Sequence, residues 1–558
     1  MHAVVSPLLR RHAPTLAVFL VVVGGLIARR QHLRPLWEPR GADWGMWFAS
    51  AAWPFHDVQW PPVRWPLWGF SAAFFDQVSP APLHVDAMIV SMICTGVAAA
   101  ATFALVRPLA GWIAALCGVA LLILHPMTLE MGGWLGGYSM WAMTGPLAAA
   151  GLAAAVRGRS SAWWVAGVAL GVCLAVQEKG ILTAMGMAPA FALGLLIEAR
   201  RTSRRGAGLA AARVLLPVAV LALAYAVFPG PLASLDAQVS LQTDGRPAPP
   251  PQLAVIDKSK TIEQPDAPTA TQGWIFGRQM GPMTIVGLAK KGLAPHSPAT
   301  DAEHAAKLRY VLAESFPGGD LRVVPVLAGA ALVAAIGALT RLLREREWDA
   351  TVAALALLGV VASGLPALRS DFNLRFLLGA VWAIPPLAVM GFAFAGRLVG
   401  APASAARFTG PAAALLGTAL LGGPFRVATT WMWDSCPVFL KSEPNEHVAG
   451  RVWLDLQKGW PGVPIDVQAP FKGGALAVEG RSGRYLSGLD LAIEPAAPDH
   501  WLILPSRASR NVIGKPASAL GLTSMRGESI DTGERRVAAA WPTEGNLSLF
   551  LLTPDAAP

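Results

Sequence analysis

Charged side chains are scarce in this chain. Asp, Glu, Lys and Arg make up 14% of its 558 residues, where soluble proteins average about 25%. Hydrophobic residues reach 54% and the mean hydropathy is +0.47. So little polar surface cannot clothe a water-soluble fold of this length, and an integral membrane protein is expected. Cysteine is scarcer still. Cys94, Cys117 and Cys173 fall inside apolar runs and Cys436 stands alone, which excludes a disulfide framework, and no paired spacing suits zinc. Also absent are a P-loop, GxSxG, HExxH and CxxC, which disfavours nucleotide hydrolysis, serine chemistry and zinc proteolysis. The apolar run 13–28 follows Arg10 and Arg11 as a secretory signal would. It ends in Leu-Ile-Ala-Arg-Arg without a small-residue cleavage site, and reads as an uncleaved anchor.

The formal net charge is +10, which raises the question of nucleic acid. Residues 424–558 carry a balance of −1, so residues 1–423 carry +11. The basic excess belongs to the apolar part of the chain, where loop charge records topology, and no nucleic-acid partner is expected.

A hydrocarbon core about 30 Å thick needs about 17 to 25 apolar residues per helix. Eleven runs approach that length: 13–28, 85–106, 109–125, 139–156, 162–177, 181–197, 209–228, 323–340, 350–366, 376–396 and 408–423. With the N-terminus inside, the cytoplasmic junctions hold Arg107, Arg157, Arg159, Arg200, Arg201, Arg204, Arg205, Arg341, Arg344, Arg346, Arg397 and Arg407. The opposite short loops hold Lys179, Arg369 and Arg375. This asymmetry fixes the orientation, although Arg29, Arg30 and Arg34 locally oppose it. Almost all charges lie in loops and no repeated halves are evident, unlike a typical transporter.

Three long segments then face the non-cytoplasmic side: 29–84, 229–322 and 424–558. The first is rich in tryptophan (Trp37, Trp44, Trp47, Trp53, Trp60, Trp65 and Trp68), which suits interfacial helices lying along the bilayer. The second opens with a proline-rich linker and continues through Gly273 to Gly292 as an amphipathic cover over a membrane cavity. In the third, a helical stretch at 446–458 precedes strand-like runs at 464–468, 501–505 and 547–553, which predicts a small α/β or α+β domain. The expected architecture is an all-α polytopic domain of about eleven transmembrane helices (1–423) plus a C-terminal extracytoplasmic domain (424–558).

Acidic groups near a membrane need a reason to be there. Asp43, in GADWGMWF, fits two roles: a general base facing a membrane-embedded site, or an N-cap for the helix-like run 44–52. Glu130 lies in the turn HPMTLEMGGWLGGYSMW, five residues after His125. Facing one cavity, Asp43 and Glu130 would bind a divalent cation or divide acid and base work; alone, Glu130 would simply contact water. His56 and Asp57 suit hydrogen bonds to a sugar or orientation of the loop. Lys179 is the cation of the loop between the fifth and sixth runs, to hold an anion or to pair with Glu178. Arg369 and Arg375 flank Asp371; their planar guanidinium groups match a lipid phosphate, and pairing with Asp371 is the competing role.

These residues resemble the GT-C superfamily of polytopic glycosyltransferases, in the branch of protein O-mannosyltransferases and lipid A aminoarabinose transferases. That branch carries Asp-Glu early in the first external loop, then an interfacial helix, then Lys-Pro-Pro-Leu before a tryptophan-containing helix. Here Asp43 is followed by WGMWFASAAWPF and then WPPVRWPLW, with Pro61, Pro62 and Trp65. The RFLL at 375–378, followed by Pro385, is similar to the Arg-(Tyr/Phe)-Leu-Leu-Pro start of a late span in these enzymes. Trp44 stands where the branch has Glu, and Trp60 where it has Lys, so a second carboxylate and a phosphate-facing cation are missing. The resemblance implies a polyprenyl-phosphate sugar donor, inversion at the anomeric carbon and Asp43 as base; it says nothing about the acceptor, which stays open among glycan, lipid and protein. Arginine outnumbering lysine and the heavy use of alanine, glycine and proline suggest a bacterial source, and the loop charges place the chain in the inner (cytoplasmic) membrane, among membrane lipids, with the C-terminal domain outside. A lipid-linked saccharide flippase and a non-catalytic scaffold are the competing readings.

Overall fold

A computed structural model describes residues 7–32, 66–176, 180–227, 274–275, 278–279, 323–370, 378–398, 465–467, 477–478, 500–504, 514–516, 535–542 and 548–554. The chain divides into two compact units. One comprises Met1–Leu33, Ile89–Val227 and Met280–Cys436; the other comprises Arg34–Met88, Phe228–Gln279 and Pro437–Pro558.

The first unit is helical. Its elements are α1 (Pro7–His32), most of α3 (Leu83–Ala110), α4 (Trp112–Ile123), the short α5 (Pro126–Met131) and α6 (Tyr138–Ala142), and α7 (Thr144–Val156). After them come α8 (Ala162–Val176), α9 (Gly180–Arg201), α10 (Arg204–Val227), α11 (Val323–Glu345), α12 (Asp349–Ser370) and α13 (Leu378–Leu398). Helices cover ten of the eleven apolar runs, and the run 408–423 lies outside the described residues. Among the described residues, four helical stretches are long and apolar enough to cross a membrane: His12–His32, Leu83–Ala110, Tyr138–Val156 (α6 with α7) and Gly180–Arg201. Shorter apolar helices include Trp112–Ile123, Ala162–Val176, Asp349–Gly364 and Leu378–Gly391. The chain is a mostly helical, multi-pass membrane protein.

Lipid tails are as apolar as leucine, so helices in a membrane gain by close packing and need small residues where they cross. The sequence supplies them. Gly186 of α9 and Gly359 of α12 meet backbone to backbone, and a Cβ on either would run into the other's carbonyl oxygen. Gly151 of α7 lies against Ala166 of α8, and Gly167 of α8 against Arg213 and Val214 of α10. Further contacts join α11 with α13, α12 with α7 and α13 with α4. α11 ends where Arg346 adopts φ 54°, a left-handed turn that closes with bonds from Arg346 N–H to Leu342 O (3.1 Å) and Glu347 N–H to Arg341 O (3.4 Å).

In the second unit, α2 (Pro66–Val78) carries the end of the tryptophan-rich segment and buries Trp68 completely. β1 (Trp274–Ile275) and β2 (Arg278–Gln279), within the expected cover, pair antiparallel. A five-stranded mixed sheet follows, in the order β4-β3-β5-β7-β6. Its strands are β3 (Ile465–Val467), β4 (Ala477–Val478), β5 (His500–Leu504), β6 (Arg535–Pro542) and β7 (Ser548–Pro554). β3 and β5 are parallel and the remaining pairs antiparallel. Three strands match the expected runs. β6 reads as Arg-Arg-Val-Ala-Ala-Ala-Trp-Pro, whose alanines hide the alternation, and a bulge between Val537 and Ala539 shifts its register.

Candidate functional site

At one end of the helical unit, side chains from α1, α3 and α13 meet the turn His125–Gly137. The turn begins with His125, the N-cap of α5, whose Nδ1 accepts from the Met127 N–H at 3.2 Å while Pro126 fills the first helical position. Burial lowers the His125 pKa from 6.5 to about 4, so the ring is neutral at pH 7 and keeps that acceptor.

α1 delivers two arginines to this turn. Arg29 is 1% exposed and Arg30 5%, and a buried guanidinium is tolerated only when its donors are satisfied. Arg29 Nη1 donates to the Leu129 carbonyl at 2.8 Å. Arg30 packs against Gly133, where an added Cβ would stand 2.8 Å from its Nε. Their opposition to the charge rule thus has a physical explanation: these cations are held inside the protein at the turn and do not act as loop charges.

Hydroxyls complete the turn. Thr95 Oγ1 donates to Gly132 O (2.6 Å), Ser91 Oγ to Gly136 O (3.2 Å) and Ser139 Oγ to Met131 O (2.8 Å). From α13, Trp382 Nε1 donates to Thr128 Oγ1 at 2.9 Å, both residues being fully buried. From α9, Thr183 Oγ1 accepts from Trp141 Nε1 (3.3 Å) and lies 3.2 Å from Ser363 Oγ of α12. The start of α9 is therefore tied to α6 and the start of α13 to α5. Lys179 precedes α9 by one residue, and Arg375 precedes α13 by three.

Glu130 is on α5, next to the Leu129 whose carbonyl Arg29 holds, and Arg369 is in the last turn of α12; the structure places their helices, not their side chains. Asp43, His56, Asp57, Trp65, Lys179 and Arg375 lie outside the described residues. Among the described residues, no group of three His, Cys, Asp or Glu side chains could hold a metal ion.

Sequence reasoning overlooked Arg29 and Arg30 as site residues, because a basic pair ending an apolar run reads as a topology signal. It also overlooked a polar pair in the second unit. Asp76 of α2 and Asp86 in the first turn of α3 are both buried. Ser79 Oγ donates to Asp86 Oδ1 at 2.7 Å and accepts from the Ala81 N–H at 3.2 Å, closing the turn between these helices. Asp86 sits inside a run taken as uninterrupted span; its place at a helix N-terminus is favoured by the helix dipole.

No protein-family model and no curated protein sequence matches the chain. Among solved structures, it is similar to the apo form of the oligosaccharyltransferase of Archaeoglobus fulgidus, with 14% identity and a TM-score of 0.45 over 79% of this chain. It spans 60% of that protein's length. It is also similar to ArnT from Cupriavidus metallidurans bound to undecaprenyl phosphate, with 13% identity and a TM-score of 0.45 over 96% of both chains. A third is the Archaeoglobus fulgidus enzyme AglB in complex with an inhibitory peptide and a dolichol-phosphate, at 12% identity and a TM-score of 0.40 over 76% of this chain and 56% of that one.

Proposed function

We propose that this protein is a membrane glycosyltransferase that moves a sugar from a polyprenyl-phosphate donor to an acceptor on the outer face of the cytoplasmic membrane. One structural observation carries the reading beyond the sequence motifs. The turn that bears Glu130 is gripped from two sides, by Arg29 of α1 and by Trp382 of α13, at the end of the bundle where α9 and α13 begin. A bundle that spends buried arginines and indoles on one short turn is holding that turn to a fixed geometry.

The chemistry follows from the residue types. Asp43 takes the proton of the acceptor hydroxyl as its oxygen attacks the anomeric carbon. The bond from that carbon to the phosphate oxygen breaks, and the polyprenyl phosphate leaves with the bonding pair. One displacement inverts the anomeric centre. Arg375, Arg369 and Lys179 stabilise the phosphate charge as it develops. Glu130 supplies the second carboxylate that Trp44 does not. His56, Asp57 and Trp65 line the sugar, and residues 229–322 exclude water that would hydrolyse the donor.

The test is transfer of labelled sugar from a synthetic polyprenyl-phosphate donor by the purified protein in lipid, with Asp43→Asn beside wild type. Transfer is expected to fall about a hundredfold or more in the variant, the loss typical of a removed base, while the variant still retains donor lipid. Wild-type movement of the donor across the bilayer with no transfer would establish the flippase reading instead.

A further inference from the structure

The opposite end of the helical unit carries a second, chemically distinct feature. Residues 157–161 (RGRSS) and 200–205 (RRTSRR) hold six arginines and no acid. Contacts gather the two turns into one surface: Arg201 Nη1 donates to Val156 O at 3.2 Å, and Arg213 Nη1 to Ser160 O at 3.1 Å. Gly158, at φ 98°, lets the Arg201 guanidinium close over its turn, where any side chain would collide with it. Arg157 is committed elsewhere, to Asp349. Arg159, Arg200, Arg201, Arg204 and Arg205 are all exposed.

Two observations say what this surface takes. The first is electrostatic. Arg204 and Arg205 form the first turn of α10, a 24-residue helix with no acid in that turn. Positive charge there opposes the helix dipole, an unfavourable arrangement that an anion at the same place would reverse. The second is apolar. Leu196 lies one turn before Arg200 on α9 and Leu209 one turn after Arg205 on α10, so each shares a helix face with its arginine. Both leucines are exposed, as are Leu215 and Leu216 further along α10. Guanidinium groups bordering exposed leucine stripes match a phosphate attached to acyl chains.

We infer that the α9–α10 turn is a binding site for an anionic phospholipid, its phosphate held by Arg200, Arg201, Arg204 and Arg205 and its chains lying along Leu196 and Leu209. The site is separate from the turn at His125–Gly137 and does not depend on the proposed transfer reaction. In the orientation expected from loop charge, it meets the cytoplasmic leaflet, where anionic headgroups attract each nearby arginine.

The experiment uses the full chain in nanodiscs of phosphatidylcholine, alone or doped with phosphatidylglycerol or diphosphatidylglycerol. Bound lipid is counted by native mass spectrometry, and thermal unfolding is followed in parallel. Wild type is expected to retain anionic lipid selectively and to unfold at a higher temperature in the doped discs. Arg204→Gln with Arg205→Gln is expected to weaken that retention about thirtyfold, the effect of removing two such charges. Arg204→Lys with Arg205→Lys keeps the charge and the fold while losing the planar fork, and is expected to bind with intermediate strength. Equal retention by the glutamine variant, or no selectivity for anionic over neutral lipid, overturns the inference. So does equal stabilisation by inorganic phosphate, which would make this an anion site without a lipid.

Discussion

Replacing Thr128 by valine would test the grip on the α5 turn with a single atom. Valine keeps the shape and branching of threonine and removes only the hydroxyl that accepts from Trp382 Nε1 at 2.9 Å. Both residues are fully buried, so no water replaces the lost partner. An orphaned buried donor costs about 1 to 3 kcal/mol, and the lower half of that range is expected because the valine methyl still packs against the indole. Trp382→Phe removes the donor as well and leaves a space, so it destabilises by a larger, packing-dominated amount. Combining the two changes should therefore cost less than the sum of the singles, by about 1 to 2 kcal/mol, since the valine does no further harm once the indole N–H is gone. Reversible unfolding in detergent micelles, read by tryptophan fluorescence, measures all four corners of the cycle. If Thr128→Val unfolds with wild type to within a few tenths of a kcal/mol, or if the two changes are strictly additive, then Trp382 does not anchor the turn.

Arg29→Met keeps much of the buried stem but leaves the Leu129 carbonyl without its 2.8 Å donor; a loss of about 1.5 to 3 kcal/mol is expected, by the same unfolding assay. Gly359→Leu forces a side chain into the Gly186 backbone, so the α9–α12 crossing must open; the variant should fail to yield monodisperse protein by size-exclusion chromatography, whereas Gly208→Ala, with open space at its Cβ, should behave as wild type. His125 gives a pH signature. Its pKa is about 4 folded against 6.5 unfolded, so between these values the unfolded chain binds more protons and stability rises with pH. The His125 contribution is therefore complete above about pH 6.5 and is lost as pH falls toward 4. His125→Gln should flatten that part of a plot of unfolding midpoint against pH, and an unchanged slope would refute the assignment.

Most of the helical architecture was legible in the sequence because a bilayer imposes a one-dimensional requirement. About twenty apolar residues in a row is a local property, and runs such as 85–106 and 181–197 need no tertiary information to be read as helices. The break between α6 and α7 at Met143, within run 139–156, was less visible, since the run stays apolar enough on average to read as one helix. Strands β5 and β7 were legible as dense apolar runs. β4, with two residues, and β6, with its alanines, were not, because their pairing partners lie far away in sequence.

The candidate site divides along the same line. Sequence pattern alone marked the membrane class, the charge-ordered helix junctions, and Asp43, Glu130, Arg369 and Arg375 as candidates only, because each of these is a statement about residue types and their spacing. Only the folded chain could show that Arg29 and Arg30 turn inward, that Trp382 reaches Thr128 across 254 positions, and that Gly186 meets Gly359. Burial, and a hydrogen bond between distant helices, are properties of packing, and no local signal in a chain specifies which carbonyl a buried guanidinium will find.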